Sequence, residues 1–137
     1  MTTELTIGAI NPGYGGLPIG VAAALGGATL AWHAHPGQPY GGAGRMLMRY
    51  HHPRAAAYTS IDVPPPMVDV LTINGFSDWL TSGGALIGGG YRPPLVIVEV
   101  SATRAKARPI CECLNARGYR AAWRVVRAYD VGAPYVR

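Results

Sequence analysis

After the strand-like residues Val68, Val70, Leu71 and Ile73, the segment Asn74-Gly75-Phe76-Ser77-Asp78-Trp79 sets a hydroxyl beside a carboxylate. Ser77 and Asp78 are residue types of nucleophilic and acid–base chemistry, and open α/β sheets place reacting groups at such strand-to-loop junctions. No base accompanies them in the sequence, and an acid in a Gly-rich loop also serves as a solvated or turn-forming residue. His33 and His35 alternate along a strand, so both imidazoles face one side and would bind a metal if a third ligand joined them. No clear third ligand is present, which leaves two hydrogen-bonded histidines at a strand end as the other reading. Glu99 ends an apolar strand, where it either lines a pocket or pairs with an arginine. Cys111 and Cys113, two apart on a helix, face different sides and share no metal. They are expected to be reduced, one buried and one partly exposed.

These groups need elements to position them. Strands are read at residues 5–10, 28–34, 55–61, 67–73 and 94–100, with helices at 17–26, 45–52 and 103–117. The last helix carries Pro109 near its first turn and ends at Gly118. His51 and His52 close the second helix before Pro53. Residues 119–129, YRAAWRVVRAY, have strong strand propensity. Strands alternating with helices define a doubly wound α/β fold with a mostly parallel sheet. No linker or composition break divides the 137 residues, so one domain is expected. The turn after the first strand, INPGYGG, brings Gly13, Gly15 and Gly16 to a helix N-terminus, where a ligand can approach the backbone.

Hydrophobic residues make up 49% of the chain and charged residues 14%, which excludes a disordered segment. No apolar run reaches membrane length, and the N-terminus lacks the basic stretch of a secretion signal. No membrane association and a cytoplasmic location are therefore expected. The net charge of +5 favours an anionic partner, nucleic acid above all. Arg-rich usage alongside much Ala, Gly and Pro also follows from a GC-rich genome. Over residues 104–130 the cations Arg104, Lys106, Arg108, Arg117, Arg120, Arg124 and Arg127 stand against only Glu112 and Asp130.

In order along the chain, these segments resemble the DNA cytosine-5 methyltransferases, S-adenosylmethionine-dependent enzymes with a class I, Rossmann-like fold. NPGYGG takes the place of the family's Phe-x-Gly-x-Gly-Gly loop, NGFSDW that of Gly-Gly-Phe-Pro-Cys-Gln, and EVS that of Glu-Asn-Val. The closing GYRAAWRVVRAYDVGAPYVR matches the family's tail most specifically. The resemblance implies a doubly wound methyltransferase sheet over residues 1–137, with an incomplete antiparallel C-terminal part and no target-recognition domain.

The resemblance also marks the departures. The family's cysteine nucleophile is Asp78, a far weaker nucleophile towards a ring carbon, and the preceding Pro is Ser77. Glu99 keeps the family's cytosine-contacting glutamate. At the cofactor positions stand Asn11, Gly13, Gly15 and Gly16 in the first loop, His33 for the ribose-binding acid, and Ser60 for the adenine-side Asp. The chain is thus expected to be an inactive methyltransferase-like protein that binds nucleic acid or a protein, of phage or mobile-element type. No cofactor is expected, S-adenosylmethionine being the candidate if one binds. DNA would meet Arg104, Lys106, Arg108, Arg120, Arg124 and Arg127. The alternatives are S-adenosylmethionine binding with residual or partner-dependent DNA methylation, and capture of a host protein. The unprotected 119–129 strand further implies a homodimer.

Overall fold

A computed structural model describes residues 4–13, 15–36, 42–101 and 103–126. They belong to two compact units that divide between Glu99 and Val100.

The first unit holds β1 (Leu5–Ile10), β2 (Ala28–Ala34), β3 (Ala56–Tyr58), β4 (Val70–Asn74) and β5 (Leu95–Glu99). All are parallel, in the order β3-β2-β1-β4-β5. Helices α1 (Gly16–Ala24) and α2 (Gly42–His51) connect the first three strands. Between β4 and β5 the chain coils as α3 (Phe76–Asp78), a π-helical turn (Trp79–Gly83) and α4 (Gly84–Gly88). The strand order reverses between β1 and β4, so a crevice opens at the carboxyl ends of those two strands, where such sheets bind ligands. This is the doubly wound arrangement expected, and every strand expected before residue 100 is present. The third strand is shorter than read: residues 59–61 leave the sheet and line a cleft. No helix among the described residues is long and apolar enough to cross a membrane.

The core follows from the strand sequences. Ile7, Ala9 and Ile10 of β1 and Val70, Leu71 and Ile73 of β4 are buried, as central parallel strands covered on both faces require. One residue more on β2 than on β1 between the Ile7–Leu30 and Gly8–Trp32 pairs makes a bulge, which sets the Trp32 indole across Gly8. A side chain at Gly8 would run into that ring. Trp32 donates its Nε1–H to the Pro66 carbonyl at 3.1 Å and meets Tyr58 edge-on at 6.2 Å. Tyr91 donates its hydroxyl to the same carbonyl at 2.8 Å, so the triple-proline connector is held by two buried aromatics.

Below these, the Asp69 carboxylate accepts from the Thr6 amide at 2.8 Å and the Thr6 hydroxyl at 3.0 Å, joining the starts of β1 and β4. Asp69→Ala leaves both donors unmet. It is expected to lower stability by about 1–2 kcal/mol, read as a lower urea midpoint with unchanged slope.

In the second unit, α5 (Arg104–Ala116) ends as the sequence implies. Gly118 is left-handed (φ 91°), its amide donates to the Asn115 carbonyl, and the Tyr119 amide donates to that of Leu114. Three expectations are corrected here. Pro109 is the sixth residue of the helix, beyond the first turn, because the helix starts at Arg104 after an extended Thr103. Cys111 and Cys113 are both half-buried. Residues 119–126 form no strand, since propensity makes a strand only where a ladder accepts it. Their Ala121 amide donates instead to Asn115 Oδ1 at 2.9 Å. The remainder of that segment, Arg127 included, lies outside the described residues.

Candidate functional site

The crevice between β1 and β4 is built from two unusual turns. Asn11 follows β1 in the left-handed region (φ 50°), a conformation asparagine tolerates better than most residues. Its amide donates to the Ala34 carbonyl at 2.8 Å, and Gly15 N–H donates to the Pro12 carbonyl at 2.8 Å. Gly13 (φ 58°) and Gly15 (φ 93°) complete the turn, and Gly15 caps α1. A methyl group on Gly13 or Gly16 would meet nothing, so both open onto free space at the start of the helix. At Gly15 it would strike the Met48 sulfur, which makes this glycine a packing requirement as well.

On the β4 side, Gly75 (φ 108°) turns the chain into α3, its amide held by the Glu99 carbonyl at 2.8 Å. The two turns meet through side chains. Asn11 Nδ2 donates to Asp78 Oδ2 at 2.8 Å and to the Asn74 carbonyl at 3.1 Å. Asp78 is therefore half-buried and hydrogen-bonded across the crevice, rather than a solvated turn acid. Burial raises its pKa above the usual aspartate value, against a smaller lowering by the Asn11 hydrogen bond. An acid whose folded pKa is raised opposes folding once ionised. Asp78→Asn is thus expected to raise stability at pH 7 by about 0.5 kcal/mol and to remove the gain otherwise seen on acidifying towards pH 4. Paired thermal melts of wild type and variant check this.

Around Asp78 the other expected residues separate. Ser77 is exposed and its carbonyl accepts from the Thr81 hydroxyl at 2.9 Å. Trp79 is core, 4% exposed, in the π-helical turn. Glu99 pairs with Asn74 in the sheet register, with its side chain exposed.

A cleft of about 770 Å³ opens beside this crevice. Its walls come from Pro36 after β2, residues 59–62 and Pro64 after β3, and Ser77, Asp78, Thr81, Ser82 and Tyr91 after β4. Ser60 lines it, and its hydroxyl accepts from the Asp62 amide at 3.1 Å. Asp62 was not singled out by sequence. The signal was present in Ser60-Ile61-Asp62, an acid two residues after the position where one is expected. Burial also raises the Tyr91 pKa, and its hydroxyl is committed to the Pro66 carbonyl.

His33 does not line the cleft. It and His35 are 0% and 1% exposed, and His33 Nδ1 lies 3.1 Å from His35 Nε2 with the rings nearly perpendicular. The pair is hydrogen-bonded within itself, and among the described residues no third His, Cys, Asp or Glu joins it to form a metal site. One nitrogen of the contact donates and the other accepts. Whichever way round, one N–H and one lone pair remain on the outer nitrogens, His33 Nε2 and His35 Nδ1. Neither outer nitrogen has a partner among the described residues, and an orphaned buried group costs about 1–3 kcal/mol. Burial, then the charges of His35, His52, Arg45 and Arg49, lower the His33 pKa to about 4. Burial and Arg45 lower that of His35.

The cations of the second unit lie on and after α5. Arg104, Lys106, Arg108, Arg117, Arg120 and Arg124 are all at least partly exposed. Arg108 pairs with Glu112 at 2.7 Å and Lys106 donates to Ser101 at 2.6 Å.

No protein-family model and no curated protein matches this sequence. Among solved structures, the chain is similar to the ribosomal protein L11 methylase of Lactobacillus delbrueckii subsp. bulgaricus, with a TM-score of 0.55 at 16% identity. The match covers 89% of this chain and 67% of that one. The likeness is one of fold: the five-stranded parallel sheet with its helices is a Rossmann-like, methyltransferase-type fold.

Proposed function

We propose that this chain is a methyltransferase-like binding domain that does not transfer a methyl group to cytosine, and that its basic second unit binds nucleic acid. The observation that carries the first half is the Asn11–Asp78 hydrogen bond. Asp78 stands where the cytosine-5 resemblance requires a thiolate, and its carboxylate accepts a hydrogen bond from Asn11 across the crevice. A carboxylate so engaged is poorly suited to attack a pyrimidine carbon. The exposed cations along α5 and after it support the second half, because phosphate contacts dominate non-specific nucleic-acid affinity. A second copy or another protein on the 119–126 segment remains the alternative partner reading, supported by the exposure of Trp123, Val125 and Val126.

A second reading, S-adenosylmethionine binding, is favoured by the cleft. The open backbone at Gly13 and Gly16 would accept the amino-acid part of the cofactor, and Ser60 and Asp62 would face its adenine side. The buried histidines at the end of β2 provide no acid for the ribose hydroxyls. The bound cofactor would supply an electrophilic methyl group. Within this chain, the glycine turn would bind, Ser60 and Asp62 would orient, and no residue is placed to deliver a cytosine-attacking thiolate. Calorimetric titration with S-adenosylmethionine and its demethylated product tests the reading. Binding tighter than about 1 mM supports it, and absence of heat at that concentration ends it.

A further inference from the structure

The end of β2 and the start of α2 meet at the first glycine turn, where the Asn11 amide donates to the Ala34 carbonyl, Gly44 lies against the Gly13 carbonyl and Met48 against Gly15. They bring five basic groups there, His33, His35, Arg45, Arg49 and His52, and the methyltransferase-like reading uses none of them. Strand β2 contributes His33, and His35 follows its last residue. Helix α2 contributes Arg45 and Arg49 one turn apart, with His52 just past its end. The side-chain charges that bear on the dyad, those of Arg45, Arg49 and His52, are positive. Two carboxylates of the same unit are engaged elsewhere, Asp69 with Thr6 and Asp78 with Asn11.

Among the described residues, three buried nitrogens of these groups have no partner: His33 Nε2, His35 Nδ1 and Arg45 Nε. Arg45 Nε is always a donor, and the neutral dyad presents one further N–H. Adding one proton to the dyad makes both of its outer nitrogens donors. A metal cation would meet guanidinium charge and find only two imidazoles. An oxyanion would bring acceptors to these donors and balance the charge, as guanidinium and imidazolium groups do elsewhere for phosphate.

We propose that the carboxyl end of β2, with Arg45 of α2, binds a phosphate-class oxyanion held by the His33–His35 dyad and the Arg45 guanidinium. The oxyanion is either free phosphate or the phosphate of a nucleotide in the adjoining cleft, whose wall at Pro36 follows His35 directly. Because the anion favours the protonated dyad, binding takes up a proton and strengthens as pH falls.

The test is a titration of the full chain with inorganic phosphate, adenosine and adenosine 2′-monophosphate. It is followed by thermal shift and by 15N resonances of the histidine side chains, with chloride at matched ionic strength as control. The expected result is that phosphate raises the melting temperature and moves the His33 and His35 resonances. Its affinity should fall several-fold from about pH 6 to about pH 7.5. Arg45→Gln should weaken binding by about tenfold or more with the dyad resonances still dispersed, whereas Arg54→Gln, outside the cluster, should not. A nucleotide binding about tenfold tighter than phosphate assigns the anion to the cleft ligand, and equal affinity assigns it to free phosphate. Histidine resonances indifferent to phosphate, a response that chloride reproduces, or binding of adenosine with none of phosphate would each overturn the proposal.

Discussion

Trp32→Ala is expected to cost about 3–5 kcal/mol, the largest loss of any single truncation in the sheet. Trp32 is 1% exposed and fills the space that the absent side chain of Gly8 leaves free. Its removal takes away a large apolar area and the edge-on contact with Tyr58. It also leaves Pro66 with only the Tyr91 hydroxyl as donor. The bulge that aims the ring at Gly8 stays, so the cavity cannot close by a simple shift of β2. Urea unfolding should show a midpoint lowered in proportion, with the slope retained; a loss below about 1 kcal/mol would mean the ring is not packed as described. Trp32→Phe, which keeps most of the area but not the N–H, should lose less than half as much.

Acid lability is the second large effect. The folded His33 pKa of about 4 lies below its unfolded value of 6.5. A histidine depressed in this way leaves stability intact above the unfolded pKa. Between pH 6.5 and 4 the unfolded chain takes up a proton that the folded chain refuses. Stability therefore falls across that window, by about 3 kcal/mol from His33 alone at about 1.4 kcal/mol per pH unit. His35, lowered for the same reason, pulls in the same direction. Urea midpoints in a buffer free of oxyanions, at intervals from pH 7 to 4.5, should drop steadily. His33→Gln should start lower and flatten the slope. A flat profile for the wild-type chain would show that the dyad accepts its proton within the fold.

The sheet was legible because its signals are local. Residues 5–10, 28–34 and 94–100 carry β-branched and apolar runs between Gly and Pro, and their strands fall within a residue of where the pattern places them. Gly118 announces the end of α5 because only a left-handed residue closes that turn cheaply. What escaped is non-local. Asn11 and Asp78 are 67 residues apart, and nothing in either segment says that one amide will span both turns. The bulge opposite Gly8 depends on register between β1 and β2, which neither strand encodes alone. Residues 119–126 show the converse error: Tyr119, Trp123, Val125 and Val126 read as a strand, but a strand also needs a ladder to join. The histidine dyad lay between these cases. Alternation placed His33 and His35 on one face, while their burial and the charge of Arg45 near them depend on tertiary packing that neither segment encodes.

The Rossmann-like fold leaves open what the domain holds, and a fold alone never decides that. The binding role proposed here rests on cations in the second unit, whose effect is measurable without knowing the natural partner. The direct test is binding of mixed-sequence duplex DNA across a salt series. The account predicts micromolar affinity at low salt and a slope of log K against log salt of about −3 to −4. Joint replacement of Arg104, Arg120 and Arg124 by alanine should make that slope shallower by about two or more. Absence of binding at low salt, or binding indifferent to salt and to those three arginines, would contradict it.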